Sequence, residues 1–147
     1  MRTHSKNLLY LFIVYFVMNF VTLTASGQDS LTIIVKKVRN DKGVLRATLF
    51  KQEVDYMTNF TTNKVVNAAT GEVTLTFDHL SIGEYAITIM HDENNNNKLD
   101  SNFIGIPKEG TGFSNDASAL FGPPSWGKAK FKWNRDSKPQ TITLKYF

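Results

Sequence analysis

The 147-residue sequence contains no cysteine, few prolines and no long stretch with the 3.6-residue period of an amphipathic helix. Without cysteine the chain cannot form disulfides and cannot be a lipoprotein anchored through a cysteine behind a leader. Zinc is disfavoured as well, because no two of the three histidines stand at ligand spacing. A domain of this composition must rely for stability on its hydrophobic core, on a bound metal, or on both.

Residues 1–27 have the pattern of a secretory signal peptide. Basic residues Arg2 and Lys6 precede an apolar run over 8–23, and small residues follow that run. We expect cleavage before Gln28. The alternative is an uncleaved membrane anchor, but the run is interrupted and falls short of the about 20 residues that a span requires.

Cleavage would leave residues 28–147, which is the size of one ordinary domain. This part of the chain has 15 basic and 13 acidic residues, so its net charge is only +2. Such a small excess of positive charge does not favour nucleic-acid binding. We therefore expect a single exported domain, periplasmic or extracellular, with no membrane span after cleavage.

Short strands with alternating apolar and polar residues dominate the domain. The pattern predicts about seven strands, at 31–36, 44–50, 64–67, 73–78, 84–90, 129–133 and 141–146. The turn residues at 40–43 suggest that the first two strands form a hairpin. Threonine-rich, β-branched strands with short polar turns predict an all-β fold, an antiparallel β-sandwich of the immunoglobulin-like or transthyretin-like kind.

The segment 101–127 interrupts this pattern. It contains three of the four prolines, five of the nine glycines and several aromatic residues. A connection of this length is either functional or disordered, and its aromatic content argues against disorder. We expect an ordered excursion that packs over one end of the sandwich.

Oxygen-bearing side chains recur after the fifth predicted strand with the spacing of a calcium-binding loop. They stand at the first, third, fifth and ninth positions, and the seventh position would offer its backbone carbonyl, which gives the ligands Asp92, Asn94, Asn96, Lys98 and Asp100. Asn97 stands at the sharp turn, and after glycine asparagine is the residue that best tolerates positive φ. The spacing predicts a weak calcium site with a dissociation constant of roughly 10⁻⁴–10⁻³ M.

This loop departs from an EF-hand in two ways. No helices flank it, and the twelfth position holds Phe103 instead of a glutamate. Glu109 or Asp116, both in the excursion, could supply the missing carboxylate. The alternative interpretation is an asparagine-rich turn whose amides only cap their own backbone.

Three sequence blocks carry a resemblance to a known family. They are His-Asp-Glu-Asn at 91–94, Gly-Ile-Pro-Lys-Glu-Gly at 105–110 and Gly-Phe-Ser-Asn at 112–115. They resemble a bacterial family of exported proteins known only as domain of unknown function 2141. The resemblance covers essentially the whole chain after the leader. It implies an exported location but no activity.

The function we expect is a non-catalytic, calcium-stabilised binding module with an envelope protein or a glycan as partner. Two alternatives remain open. A metal-dependent hydrolase would use His91 and Glu109 as an acid–base pair. A carrier of small apolar ligands would line its pocket with Phe103, Phe113 and Trp126.

Overall fold

A computed structural model describes residues 29–120 and 122–147. The predicted signal peptide and its cleavage site lie outside these residues. Eight strands are formed within them: β1 (Leu31–Val38), β2 (Val44–Phe50), β3 (Thr62–Asn67), β4 (Gly71–Phe77), β5 (Gly83–Asp92), β6 (Gly110–Phe113), β7 (Phe131–Trp133) and β8 (Gln140–Thr143). Two 3₁₀ turns (Glu53–Asp55 and Ser114–Asp116) and a one-turn helix, α1 (Trp126–Ala129), complete the regular structure.

The strands form two sheets that pack as a sandwich, which confirms the predicted all-β fold. One sheet has the order β4–β1–β8, and the other has the order β3–β2–β5–β6. The short strand β7 also pairs with β5, next to β6. All pairs are antiparallel except β1 with β8.

The predicted hairpin of the first two strands is wrong. β1 pairs with β4 and β8, whereas β2 pairs with β3 and β5, so the turn at 40–43 carries the chain from one sheet to the other. Alternation shows that each strand has one buried face, but it does not specify which strand lies beside it.

The core lies between the sheets, where alternate residues of each strand are buried. In β1 the inward residues are Leu31, Ile33 and Val35, and from the facing sheet Ile87 and Ile89 join the same cluster. This period-two burial is the pattern that the sequence predicts.

The described part of the excursion, 101–120 and 122–127, contains a strand that the sequence analysis missed. The strand β6 extends the second sheet, and a bridge between Thr111 and Lys145 connects it to the segment after β8. A smaller apolar cluster forms where Trp126 packs with Phe50 and Ala86. No helix among the described residues is long and apolar enough to span a membrane.

Candidate metal centre

Asp92 is the last residue of β5 and begins the predicted loop. Its side chain is fully buried, and its Oδ2 accepts a hydrogen bond from Nε of Arg46 at 2.7 Å. The backbone N–H groups of Asn96 and Asn97 donate to its two oxygens at 3.0 and 2.9 Å. The carboxylate therefore has three donors and fixes the curvature of the loop around itself.

These contacts decide the charge state of Asp92. Burial opposes ionisation and would raise the pKa of the carboxyl group, but the bond from Arg46 and the two backbone amides outweigh that effect. The pKa of Asp92 therefore lies below its ordinary value. A negative charge is held at the base of the loop at neutral pH.

The other oxygen-bearing side chains of the loop converge on Asp100. Nδ2 of Asn94 donates to its carboxylate at 2.6 Å, and Nδ2 of Asn96 donates to both of its oxygens at 3.1 Å. Asn97 has a φ of 65°, so the prediction of a left-handed turn at this position is confirmed. The structure thus gathers Asp92, Asn94, Asn96 and Asp100 in one closed loop.

Glu109 reaches this loop from the excursion. Its carboxylate is buried, and it accepts the N–H of Glu93 at 2.9 Å and the N–H of Asp100 at 3.1 Å. These two amides lie near the beginning and at the end of the loop. Glu109 consequently fastens the excursion to both ends of the loop through backbone hydrogen bonds.

Asp116, the other candidate for the missing carboxylate, faces a different part of the molecule. It accepts the N–H of Thr143 at 2.7 Å and the hydroxyl of the same residue at 3.1 Å. Thr143 belongs to β8 in the opposite sheet. Of the two candidates, Glu109 is therefore the one that contacts the loop.

The ligand set that the sequence predicts for the loop consists of oxygen atoms only, although Oδ1 of Asn94 and Oδ1 of Asn96 each accept a backbone N–H in this structure. Carboxylate, amide and backbone carbonyl oxygens are the ligands of a hard cation such as calcium. Within the described residues, no three His, Cys, Asp or Glu side chains are grouped closely enough to hold a metal by themselves. A cation in this loop would therefore depend on the asparagine amides and the carbonyl of Lys98 as well as on carboxylates.

Residues 33–142 match a protein family described as an uncharacterized protein conserved in bacteria, DUF2141. The chain belongs to this family. No curated protein and no solved structure matches this chain. The loop and its Glu109 clamp therefore belong to a DUF2141 domain.

The sequence blocks that resemble the DUF2141 family have distinct positions in this structure. The first block forms the end of β5 and the start of the loop, and the second contains Glu109. The third is structural. Ser114 accepts the N–H of Ile87 at 2.9 Å, and Nδ2 of Asn115 donates to the carbonyls of residues 128–130 at 2.9–3.2 Å. These bonds hold α1 against the second sheet.

His91 is fully buried beside the loop, and both of its ring nitrogens are bonded. Nε2 donates to the carbonyl of Lys42 at 2.8 Å, since a carbonyl can only accept. Nδ1 lies 2.8 Å from the hydroxyl of Tyr146, which donates to it in this tautomer. No hydrogen bond joins His91 to Glu109 in the part of the chain that the structure describes. The geometry gives His91 a structural position.

Several residues around the loop were missed by the sequence analysis. Nε of Arg39 pairs with Glu93 at 2.6 Å, and the guanidinium of Arg39 lies 4.5 Å from the ring centre of Tyr146. Nδ2 of Asn40 also donates to Glu93, at 3.2 Å. Arg39 and Glu93 are 54 residues apart, so no local spacing could have indicated this pair.

The three aromatic residues of the predicted carrier pocket do not come together. Phe103 is 98% exposed, whereas Trp126 is buried among Phe50, Ala86 and Ala129. Phe113 lines a separate shallow pocket with room for about one water molecule. The predicted shared pocket is not formed, because Phe103 projects into solvent and Trp126 packs in the cluster with Phe50 and Ala86.

Proposed function

We propose that this protein is an exported, calcium-stabilised β-sandwich binding module of the cell envelope, periplasmic or extracellular, without catalytic activity. The observation that supports it best is the convergence of Asn94 and Asn96 on the carboxylate of Asp100. The closed loop brings the side chains of the predicted spacing together, with their amide nitrogens toward Asp100 and their amide oxygens on the N–H groups of Asn96 and Lys98. Calcium binding would require both amides to turn their oxygens to the ion. An envelope protein or a glycan remains the proposed partner.

The charges of the loop support a cation at Asp100 in particular. Asp92 already has Arg46 as its ionic partner, and Glu93 has Arg39. Asp100 has no Lys or Arg partner within residues 29–120 and 122–147, and its carboxylate accepts hydrogen bonds from the side-chain amides of Asn94 and Asn96. A bound calcium ion would replace these weak dipoles with a full positive charge.

A thermal melt with and without calcium tests the proposal. Binding to the folded state stabilises it by RT ln(1 + [L]/Kd), which is about 1.4 kcal/mol when calcium exceeds Kd tenfold. For a domain of this size we expect the midpoint to rise by about 5 °C. The protein should be recovered after export from a bacterial host, with its N-terminus verified by mass spectrometry.

A matched pair of variants makes this test specific. Asp100→Asn removes one charge from the loop and should abolish most of the calcium-induced shift. Asp78→Asn removes an exposed carboxylate that lies 3.8 Å from Lys64 on the sandwich surface, and it should leave the shift unchanged. The proposal fails if millimolar calcium does not raise the wild-type melting midpoint. It also fails if calcium raises the midpoint of Asp100→Asn as much as that of the wild type.

The two alternative functions have less support from the geometry. A hydrolase would need a base with a free lone pair, but both nitrogens of His91 are bonded and the side chain is buried. A carrier would need the aromatic pocket, whose residues are separated.

A further inference from the structure

The excursion contains a tight turn at 101–107, which we call the tip. Ser101 and Pro107 form a bridge at its base, and the N–H of Asn102 donates to the carbonyl of Ile106 at 2.8 Å. The side-chain oxygen of Asn102 also accepts the N–H groups of Ile104 and Ile106, at 3.1 and 2.9 Å. Polar bonds therefore hold the shape of the tip, and its apolar side chains are not required for that purpose.

Those apolar side chains point away from the protein. Phe103 is 98% exposed and Ile104 is 64% exposed, while Ile106 and the nearby Leu99 are each about 40% exposed. A single exposed apolar residue is ordinary, but several on one ordered tip indicate an interaction surface. Because Phe103 is almost completely exposed, the surface projects outward and is not a groove for a partner to fill.

Basic side chains flank the tip. Lys98 precedes it and Lys108 follows it, and both are exposed. Neither forms an ion pair with a carboxylate among the residues that the structure describes. In contrast, the neighbouring Asp92 and Glu93 are neutralised by arginines. Asp100 and Glu109 also lack a Lys or Arg partner among the described residues, but Asp100 is partly buried beneath asparagine amides and Glu109 is buried. The exposed charges beside the tip are therefore positive and complement an anionic surface.

We propose that the tip inserts Phe103 and Ile104 into an anionic lipid surface, while Lys98 and Lys108 contact the phosphate groups. A projecting apolar tip with a basic rim suits a fluid interface, where apolar burial and charge attraction add. This inference goes beyond the proposed function, since neither the tip nor its lysines need a bound cation to make these contacts.

Vesicle co-sedimentation of the exported protein tests the inference. The probes are phosphatidylcholine vesicles with and without phosphatidylglycerol, at low salt, in EDTA and in calcium. We expect binding to the anionic vesicles in EDTA as well as in calcium. Phe103→Asp and Ile104→Asp should each lower the partition coefficient about tenfold or more. Lys108→Gln should lower it about fivefold.

Ile82→Asp is the matched control for Ile104→Asp. Ile82 is 66% exposed and precedes the start of β5, whereas the tip follows the end of that strand, about 30 Å away. The control should bind as the wild type does. All variants should keep the wild-type melting midpoint, because the substituted side chains are exposed.

Four results would overturn the inference. The wild type could fail to bind anionic vesicles, or bind neutral vesicles equally well. Ile104→Asp and Ile82→Asp could lose the same amount of vesicle binding, or the wild type could be a dimer that Phe103→Asp converts to a monomer. The last result would mean that a second copy of the chain covers the tip. Failure of the calcium melt alone leaves the inference standing, since the EDTA arm tests it separately.

Discussion

The ion pair of Asp92 with Arg46 anchors the base of the candidate calcium loop. The carboxylate is completely buried, while the guanidinium side chain retains 25% of its exposure. A buried charge without a partner is costly, so Asp92 depends on Arg46 and on the loop amides. Because one of these amides belongs to the candidate ligand Asn96, the pair couples strand β2 to the loop.

Replacement of Arg46 by methionine should be strongly destabilising. Arg46→Met leaves Asp92 buried without its cation, and we expect a loss of about 3 kcal/mol in the free energy of unfolding, measured by urea denaturation. Lys64→Met is the control, since Lys64 lies 3.8 Å from Asp78 in an exposed pair. That control should cost less than about 1 kcal/mol. Equal losses in the two variants would contradict the role assigned to Arg46.

Residue spacing could predict part of this site. The turn at Asn97 and the grouping of Asp92, Asn94, Asn96 and Asp100 follow from local sequence, because a short loop can fold only in a few ways. The partners Arg46 and Arg39 could not be predicted. The position of Arg46 depends on the register of β2 against β5, which pairs Val44 with Asp92. The position of Arg39 depends on the turn at 40–43, which carries the chain from one sheet to the other.

At the scale of elements, β6 depends on close contact with its neighbours. A Cβ atom at Gly110 would overlap the ring of Tyr146, and one at Gly112 would lie 2.7 Å from Cγ2 of Ile142. Only glycine allows the strand to approach the end of the opposite sheet so closely. The same glycines explain why the strand was missed, since they are depleted in strands generally.

Gly110→Ala should therefore destabilise the protein. We expect a cost of about 1–3 kcal/mol from overpacking against Tyr146, measured by thermal or urea unfolding. Gly127→Ala is the control in α1, where a Cβ would meet no atom within 4 Å. That substitution should be neutral or stabilise by up to about 1 kcal/mol. An unchanged free energy of unfolding in Gly110→Ala would show that the Tyr146 ring can move aside.

The other strands were predictable because a strand with one buried and one solvent-exposed face has alternating apolar and polar residues. Seven predicted strands correspond to strands of the structure, including the edge strand β3. Pairing was not predictable, as the failed hairpin of β1 and β2 shows. Which strands become neighbours is decided by the packing of two sheets, to which residues distant in sequence contribute.

For the whole molecule, the carboxylates of Asp92 and Glu93 make stability depend on pH. Burial opposes the ionised form of Glu93 as it does for Asp92, but Arg39 and Asn40 outweigh it, so both pKa values are lowered in the folded state. The unfolded chain then binds more protons in acid, and stability falls as the pH decreases. This contribution is complete above the ordinary carboxyl range and is lost progressively below about pH 4.

Urea midpoints measured between neutral pH and about pH 3 should show this loss. Asp92→Asn removes one of the two groups, so its stability should vary less steeply with pH than that of the wild type. Asp78→Asn, at an exposed position, should keep the wild-type slope. A flat wild-type profile would contradict the lowered pKa values.

The parallel pairing of β1 with β8 has a consequence for the order of synthesis. The first strand acquires one of its two neighbours only after residue 143 has been made, and the contact of Arg39 with Tyr146 spans 107 residues. A nascent chain therefore cannot complete its sandwich while it is still growing. The export that we propose would suit such a chain, because the sandwich stays incomplete until its last strand is available.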